Sequence, residues 1–192
     1  MTPHRVLPNS GLLIEGSKIK HIFPMDSLHL HKSGKIVDVK GAYIAPGFVD
    51  MHLHGGGGAD VMDGTPEAFA TIAKIHAKGG ATSIVPSTTT GSIQGLKRAI
   101  AAFEEARKME NNGSTLLGLH LEGPYFAPSQ KGAQDIRFIK DPVKEEYLSI
   151  LDSSSSILRV SAAPELPGSL ELGRELRRRG ILASIGHSDA SY

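Results

Sequence analysis

Cysteine and tryptophan are both absent from this chain of 192 residues. Without a thiol there is no disulfide framework and no thiolate metal site, although the redox compartment stays open. An excess of one charge is missing as well. Lys+Arg 21 against Asp+Glu 20 leaves a formal net charge of +1, so no basic field recommends a nucleic-acid partner. No run approaches the roughly 20 apolar residues that span a bilayer, and Met1–Arg5 lacks the apolar core of a signal peptide. These absences predict a cytoplasmic protein with no membrane and no nucleic-acid partner. At 40% hydrophobic and 21% charged, the composition excludes disorder, collagen and a small disulfide scaffold. The length suits one domain, or a small domain with part of a larger one. Glycine (22) and histidine (9) stand out, and their placement carries the rest.

The chain changes character at Pro46. Before it, Leu12–Glu15, Lys18–Ile22 and Lys35–Val39 read as short strands separated by Gly16-Ser17 and Ser33-Gly34, with no helical period. Residues 1–45 are thus expected to form a small β portion. From residue 46 to 192, strand-like runs alternate with helix-like runs. The strand candidates are Gly47–Leu53, Thr82–Pro86, Leu116–Leu121, Ile157–Ser161 and Ile181–Ile185. Thr65-Pro66-Glu67 offers an N-cap, a proline at the first helical position and an acid in the first turn. Phe69, Ile72, Ala73 and His76 follow on one face, and Gly79-Gly80 end the run. Leu96, Ala99, Ile100 and Phe103 mark a second helix, and Pro142–Leu151 and Leu170–Arg179 two more. This alternation predicts an α/β fold with a parallel sheet and right-handed crossovers. Gly55–Gly58 is no dinucleotide loop, because two histidines precede it and the helix starts only near Thr65.

Three strand tips carry residues suited to chemistry. In Asp50-Met51-His52-Leu53-His54, residues two apart share a face, so His52 and His54 point together at the carboxyl end of a parallel strand. Two imidazoles there make half of a divalent metal site. Leu28-His29-Leu30-His31 has the same spacing but follows no buried strand, and reads as two surface histidines. In Leu119-His120-Leu121-Glu122-Gly123-Pro124, Glu122 is a candidate carboxylate ligand, while His120 lies deeper and suits packing or support. His187, in Gly186-His187-Ser188-Asp189, stands at the fifth tip. Each of the three tips has a bland reading as a turn or rim residue, and together they make a stronger case for a site. His4, His21 and His76 have no such setting, and Arg177-Arg178-Arg179 reads as a solvated helix end.

The run Pro46-Gly47-Phe48-Val49-Asp50-Met51-His52-Leu53-His54-Gly55 resembles the first-strand signature of the metal-dependent amidohydrolase superfamily. The Leu119–Pro124 segment, Ala163-Pro164-Glu165 and Gly186-His187-Ser188-Asp189-Ala190 narrow the resemblance to its N-acetylglucosamine-6-phosphate deacetylase family, over about Leu12 to Tyr192. That resemblance implies a (β/α)8 barrel of the TIM type, here partial with about five strands, preceded by part of a small β-sandwich. It implies that Glu122 and His187 bind the metal, that His52 and His54 allow a second ion, and that Ala133 and Gln134 contact the sugar, partly through backbone. The cofactor implied is one or two divalent ions, with zinc expected and iron or manganese also compatible with imidazole and carboxylate. The implied reaction releases acetate from a small-molecule sugar phosphate, with a homodimer as the full-length assembly.

From Pro46 to Tyr192 there are 147 residues, against about 250 in a typical barrel. The expectation is therefore a truncated chain, without the strands that carry a further histidine ligand and the catalytic aspartate, and without appreciable deacetylase activity by itself. Two alternatives stay open: another amidohydrolase, such as an N-acetylgalactosamine-6-phosphate deacetylase, and a non-catalytic metal-binding half-barrel. The absence of a lysine from Ile157–Glu165 counts against relatives that bridge two metals with one.

Overall fold

The structure, a computed structural model, describes residues 5–31 and 34–191. His4, Ser33 and Tyr192, named above, lie outside the described residues. The chain divides into two compact units, residues 1–46 and 47–192.

In the first unit, β1 (Ser10–Glu15) and β2 (Lys18–Pro24) form an antiparallel hairpin across Gly16-Ser17. Gly16 takes a φ of 59°, which its missing Cβ permits. Phe23 is buried over Gly11, where any Cβ would collide with its ring. The strand expected at Lys35–Val39 does not form. Ile36 and Val37 are exposed, and among the described residues no neighbouring strand offers that segment a ladder. Alternation without a hydrogen-bonding partner does not hold a strand. A 3-10 helix over Met25–His31 was also not foreseen. Its i→i+3 spacing and its exposed Leu30 leave no 3.6-residue apolar stripe to read.

The second unit is the expected α/β alternation. After β3 (Phe48–Leu53), the glycine run folds back as a two-residue antiparallel pair, β4 (Gly55–Gly56) with β5 (Ala59–Asp60). There follow α1 (Pro66–Lys78), β6 (Ala81–Pro86), α2 (Ile93–Ala106), β7 (Thr115–Leu116), β8 (Leu119–Glu122), α3 (Lys144–Leu151), β9 (Ile157–Ala162), α4 (Ser169–Arg179) and β10 (Leu182–Ile185). Thr65 Oγ1 accepts the Ala68 N–H at 3.2 Å to start α1, and Ser92 Oγ accepts the Gly95 N–H at 3.1 Å to start α2. Gly180, at a φ of 71°, ends α4.

Apart from the short β4–β5 pair, the strand pairs described in this unit are parallel: β3 with β6, β6 with β7, β8 with β9 and β9 with β10. The single strand expected over Leu116–Leu121 is interrupted at Leu117-Gly118. A Cβ on Gly118 would lie 2.3 Å from the Leu158 side chain and 2.6 Å from the Ser156 carbonyl. This close approach forces the segment to turn from β6 towards β9. An isolated parallel bridge between Ser87 and His120 keeps the second-strand side joined. Spatial order therefore follows sequence order, as in a barrel and unlike a doubly wound sheet, where the order reverses. Phe69, Ile72, Ile84, Leu96, Ile100, Phe103, Leu119, Leu172 and Leu176 are almost fully buried where helices meet the sheet. Parallel strands packed this way carry their carboxyl ends to one rim.

Candidate metal centre

The rim gathers side chains from two strand ends onto a carboxylate carried by a third. Glu122, the last residue of β8, is 5% exposed. Its Oε2 lies 2.5 Å from His52 Nε2 and 3.1 Å from His54 Nε2, and its Oε1 lies 2.9 Å from His187 Nε2. One ligand atom each from His52, His54 and Glu122 lie within 4.8 Å of one another. The register of β3 against β6 is broken between Asp50 and Leu53, a bulge that re-aims the strand just where the histidines emerge. Asp50 Oδ1 accepts the His52 N–H at 3.1 Å within this bulge.

Backbone carbonyls orient two of the rings. His54 Nδ1 donates to the Ser87 carbonyl at 3.0 Å, and His187 Nδ1 donates to the Gln130 carbonyl at 2.8 Å. In both, Nε2 is left to face Glu122, the arrangement that metal-ligating histidines adopt when a carbonyl fixes the tautomer. Burial pulls the Glu122 carboxyl upward, but hydrogen bonds from His54, His187 and His52 outweigh it and hold the group at about 2. The hydrogen bond to Glu122 raises His54 above its ordinary value, against the downward pull of burial. The rim is thus an anionic carboxylate ringed by imidazoles.

Beneath it, His120 is fully buried between Ser87 Oγ on Nδ1 and Ser161 Oγ on Nε2, both at 2.8 Å. Burial, followed by the positive charge of Arg159, lowers it to about 4, so it is neutral at pH 7. It supports the rim and stacks edge-on against His52, with ring centroids 5.0 Å apart.

All four residues expected as ligands therefore meet at Glu122. Ala133 and Gln134 behave differently from each other. Ala133 is exposed, whereas Gln134 is buried and its Oε1 accepts the Thr90 N–H at 2.7 Å. The Gln134 side chain thus ties two loops together. Their loop does pass beside the site, since a Cβ on Gly132 would stand 3.5 Å from His187 Cε1. His76 bonds the Gly55 carbonyl at 3.1 Å, away from the cluster, and Arg178 and Arg179 pair with Glu175. The partners of the histidines, Ser87, Gln130 and Ser161, were not foreseen. Two of these contacts are carbonyls, which no side-chain pattern reveals; the hydroxyls of Ser87, just past the second strand candidate, and Ser161, at the end of the fourth, were the readable signals.

Residues 43–173 match the model of the amidohydrolase family. The chain is 35% identical over 150 residues to N-acetylglucosamine-6-phosphate deacetylase of Vibrio furnissii, covering 78% of this chain and 38% of that protein. It is 33% identical over 150 residues to N-acetylgalactosamine-6-phosphate deacetylase of Escherichia coli O157:H7, covering 78% and 40%. The crystal structure of N-acetylglucosamine-6-phosphate deacetylase from Pasteurella multocida superposes with a TM-score of 0.88 at 28% identity, over 97% of this chain and 48% of that one. The chain thus spans less than half the length of each of these relatives.

Proposed function

Because this chain belongs to the amidohydrolase family, we propose that Glu122, His187, His52 and His54 hold one or two divalent ions for hydrolysis of an N-acetyl amino sugar phosphate. The substrate of this reading is N-acetylglucosamine 6-phosphate, and the products are glucosamine 6-phosphate and acetate. One observation carries it: three imidazole Nε2 atoms converge on the two oxygens of a single buried carboxylate at the strand tips. The donor set fits a metal. Without one, protons must sit between the rings and Glu122; a cation placed among the same atoms takes over that charge. Imidazole and carboxylate donors suit zinc, with iron and manganese also accommodated.

A bound ion would lower the pKa of its water to roughly 7 and polarise the acetamide carbonyl. The chain's own residues prepare the place. The carbonyls of Ser87 and Gln130 hold the His54 and His187 rings, and neutral His120 backs them without adding charge. The loop of Ala133 and Gln134 lies beside His187 and forms the sugar side in this reading. No residue of this chain is assigned the proton transfer to the leaving amine. The same reading makes residues 1–45 a small β-sandwich portion and 46–192 the barrel portion, in a cytoplasmic homodimer when full length. Among the described residues, no helix is long and apolar enough to cross a membrane.

The galactosamine epimer is the second reading, favoured by the nearly equal identity to its deacetylase. Acetate release from both sugar phosphates, measured on the full-length protein with each metal added, separates the two. Zinc binding by the chain, lost in Glu122→Ala, supports the site; equal binding by the variant removes it.

A further inference from the structure

We propose that Glu165 is a positioning residue that holds His187 in its ligating pose by gripping the two residues that follow it. The inference rests on the metal-site reading of His187 and assigns a residue that reading leaves idle.

His187 needs holding. Its φ is +50°, in the strained left-handed region that residues with a Cβ rarely adopt. Two contacts restrain it from the β8 side: the Ala127 N–H donates to its carbonyl at 2.9 Å, and its ring donates to the Gln130 carbonyl at 2.8 Å. The Phe126 ring lies against the imidazole, with centroids 4.4 Å apart.

Glu165 restrains the other side. It follows β9 in the run Ala163-Pro164-Glu165-Leu166-Pro167, where the two prolines fix their own φ and restrict Ala163 and Leu166 on either side of it. The same segment is anchored where the buried Ala163 donates its N–H to the Tyr125 carbonyl at 2.8 Å. From this base Oε2 accepts the Ser188 hydroxyl at 2.8 Å and Oε1 accepts the Asp189 N–H at 2.6 Å. Ser188 Oγ in turn accepts the Ala190 N–H at 3.1 Å, closing the turn. The Asp189 carboxylate then accepts Ser129 Oγ at 3.3 Å and Gln130 Nε2 at 3.1 Å.

A closed circuit results. Glu165 fixes the turn after His187, the turn fixes Gln130 through Asp189, and the Gln130 carbonyl fixes the His187 ring. The loops after β8, β9 and β10 are thereby locked around one imidazole. A carboxylate is the group for this task, since both of its oxygens accept and an amide would offer one acceptor. Against the upward pull of burial, the donors from Asp189 and Ser188 hold the Glu165 carboxyl below its ordinary range, so it is ionised at neutral pH.

The test uses cobalt(II) as the probe metal on the whole chain, with wild type, Glu165→Ala, Glu165→Gln and Glu122→Ala side by side. Loss of a residue that orients a ligand typically weakens metal binding by about 10–100-fold. Glu165→Ala is expected to bind cobalt in that range below wild type and to shift its visible absorption. Glu165→Gln, with one acceptor left, should fall between them, and it stands in if the alanine variant does not fold. The His187 Nδ1–H proton, followed by NMR without metal, should be lost or broadened in Glu165→Ala. Wild-type affinity, spectrum and Nδ1–H signal in Glu165→Ala would overturn the proposal while the metal site stands. If wild type binds cobalt no better than Glu122→Ala, the metal reading fails, and the NMR signal alone then decides whether Glu165 positions His187.

Discussion

His29-Leu30-His31 and His52-Leu53-His54 share one local pattern and meet different fates. The first lies at the end of a 3-10 helix, where exposed His29 turns its ring back on the Asp26 carbonyl of its own turn at 3.0 Å. The second leaves a parallel strand whose neighbours deliver Glu122 from 70 residues away and His187 from further still. Spacing supplies two imidazoles in both places. A site arises only where a distant, buried carboxylate is carried to the same rim and backbone carbonyls fix the ring tautomers.

The sharpest way to break that contrast is to remove the carboxylate. Glu122→Ala is expected to weaken zinc binding by more than the roughly 100-fold that loss of a supporting group costs, measured by competition with a chromophoric chelator. Retained affinity would mean that the imidazoles act without it.

The next effect concerns stability. His120, held at about 4 in the folded state against 6.5 ordinarily, is a group whose folded pKa is depressed. Its contribution is present above pH 6.5 and is lost as pH falls towards 4, because the unfolded chain takes up the proton first. A shift of that size corresponds to about 3 kcal/mol. Denaturant unfolding of the metal-free chain should show stability falling across this window, with a shallower fall in His120→Gln and no change in His29→Ala.

The paired variant His52→Ala/His54→Ala removes two proposed ligands but leaves Glu122 and His187, and should weaken metal binding by less than Glu122→Ala does. Metal analysis of the loaded proteins counts the ions these rings serve. Smallest of all, His29→Ala should leave metal binding unchanged and move unfolding by less than about 0.5 kcal/mol, as exposed substitutions do. A measurable loss of metal there would erase the distinction between the two pairs.

Much of this was legible in the residues themselves. The helix start at Thr65 is local chemistry, and the apolar faces of α1 and α2 repeat within a few residues. The alternation of strand and helix then fixes the rim on which His52, Glu122 and His187 meet. Features that depend on partners were not legible. Lys35–Val39 alternates like a strand but finds no ladder, and Gly118 splits a strand because Leu158 and Ser156 crowd it from another segment. Ala133 and Gln134 were read together, yet packing turns Gln134 inwards to Thr90. The circuit through Glu165, Asp189 and Gln130 joins loops up to 60 residues apart in sequence, and one of its links is a carbonyl that carries no sequence signal.

Anomalous X-ray diffraction from crystals of the zinc-loaded chain tests the central claim most directly. The account predicts a zinc peak within coordination distance of the Glu122 carboxylate and at least two of the Nε2 atoms of His52, His54 and His187. A fully loaded protein with no peak at Glu122, or with its zinc at His29, would contradict it.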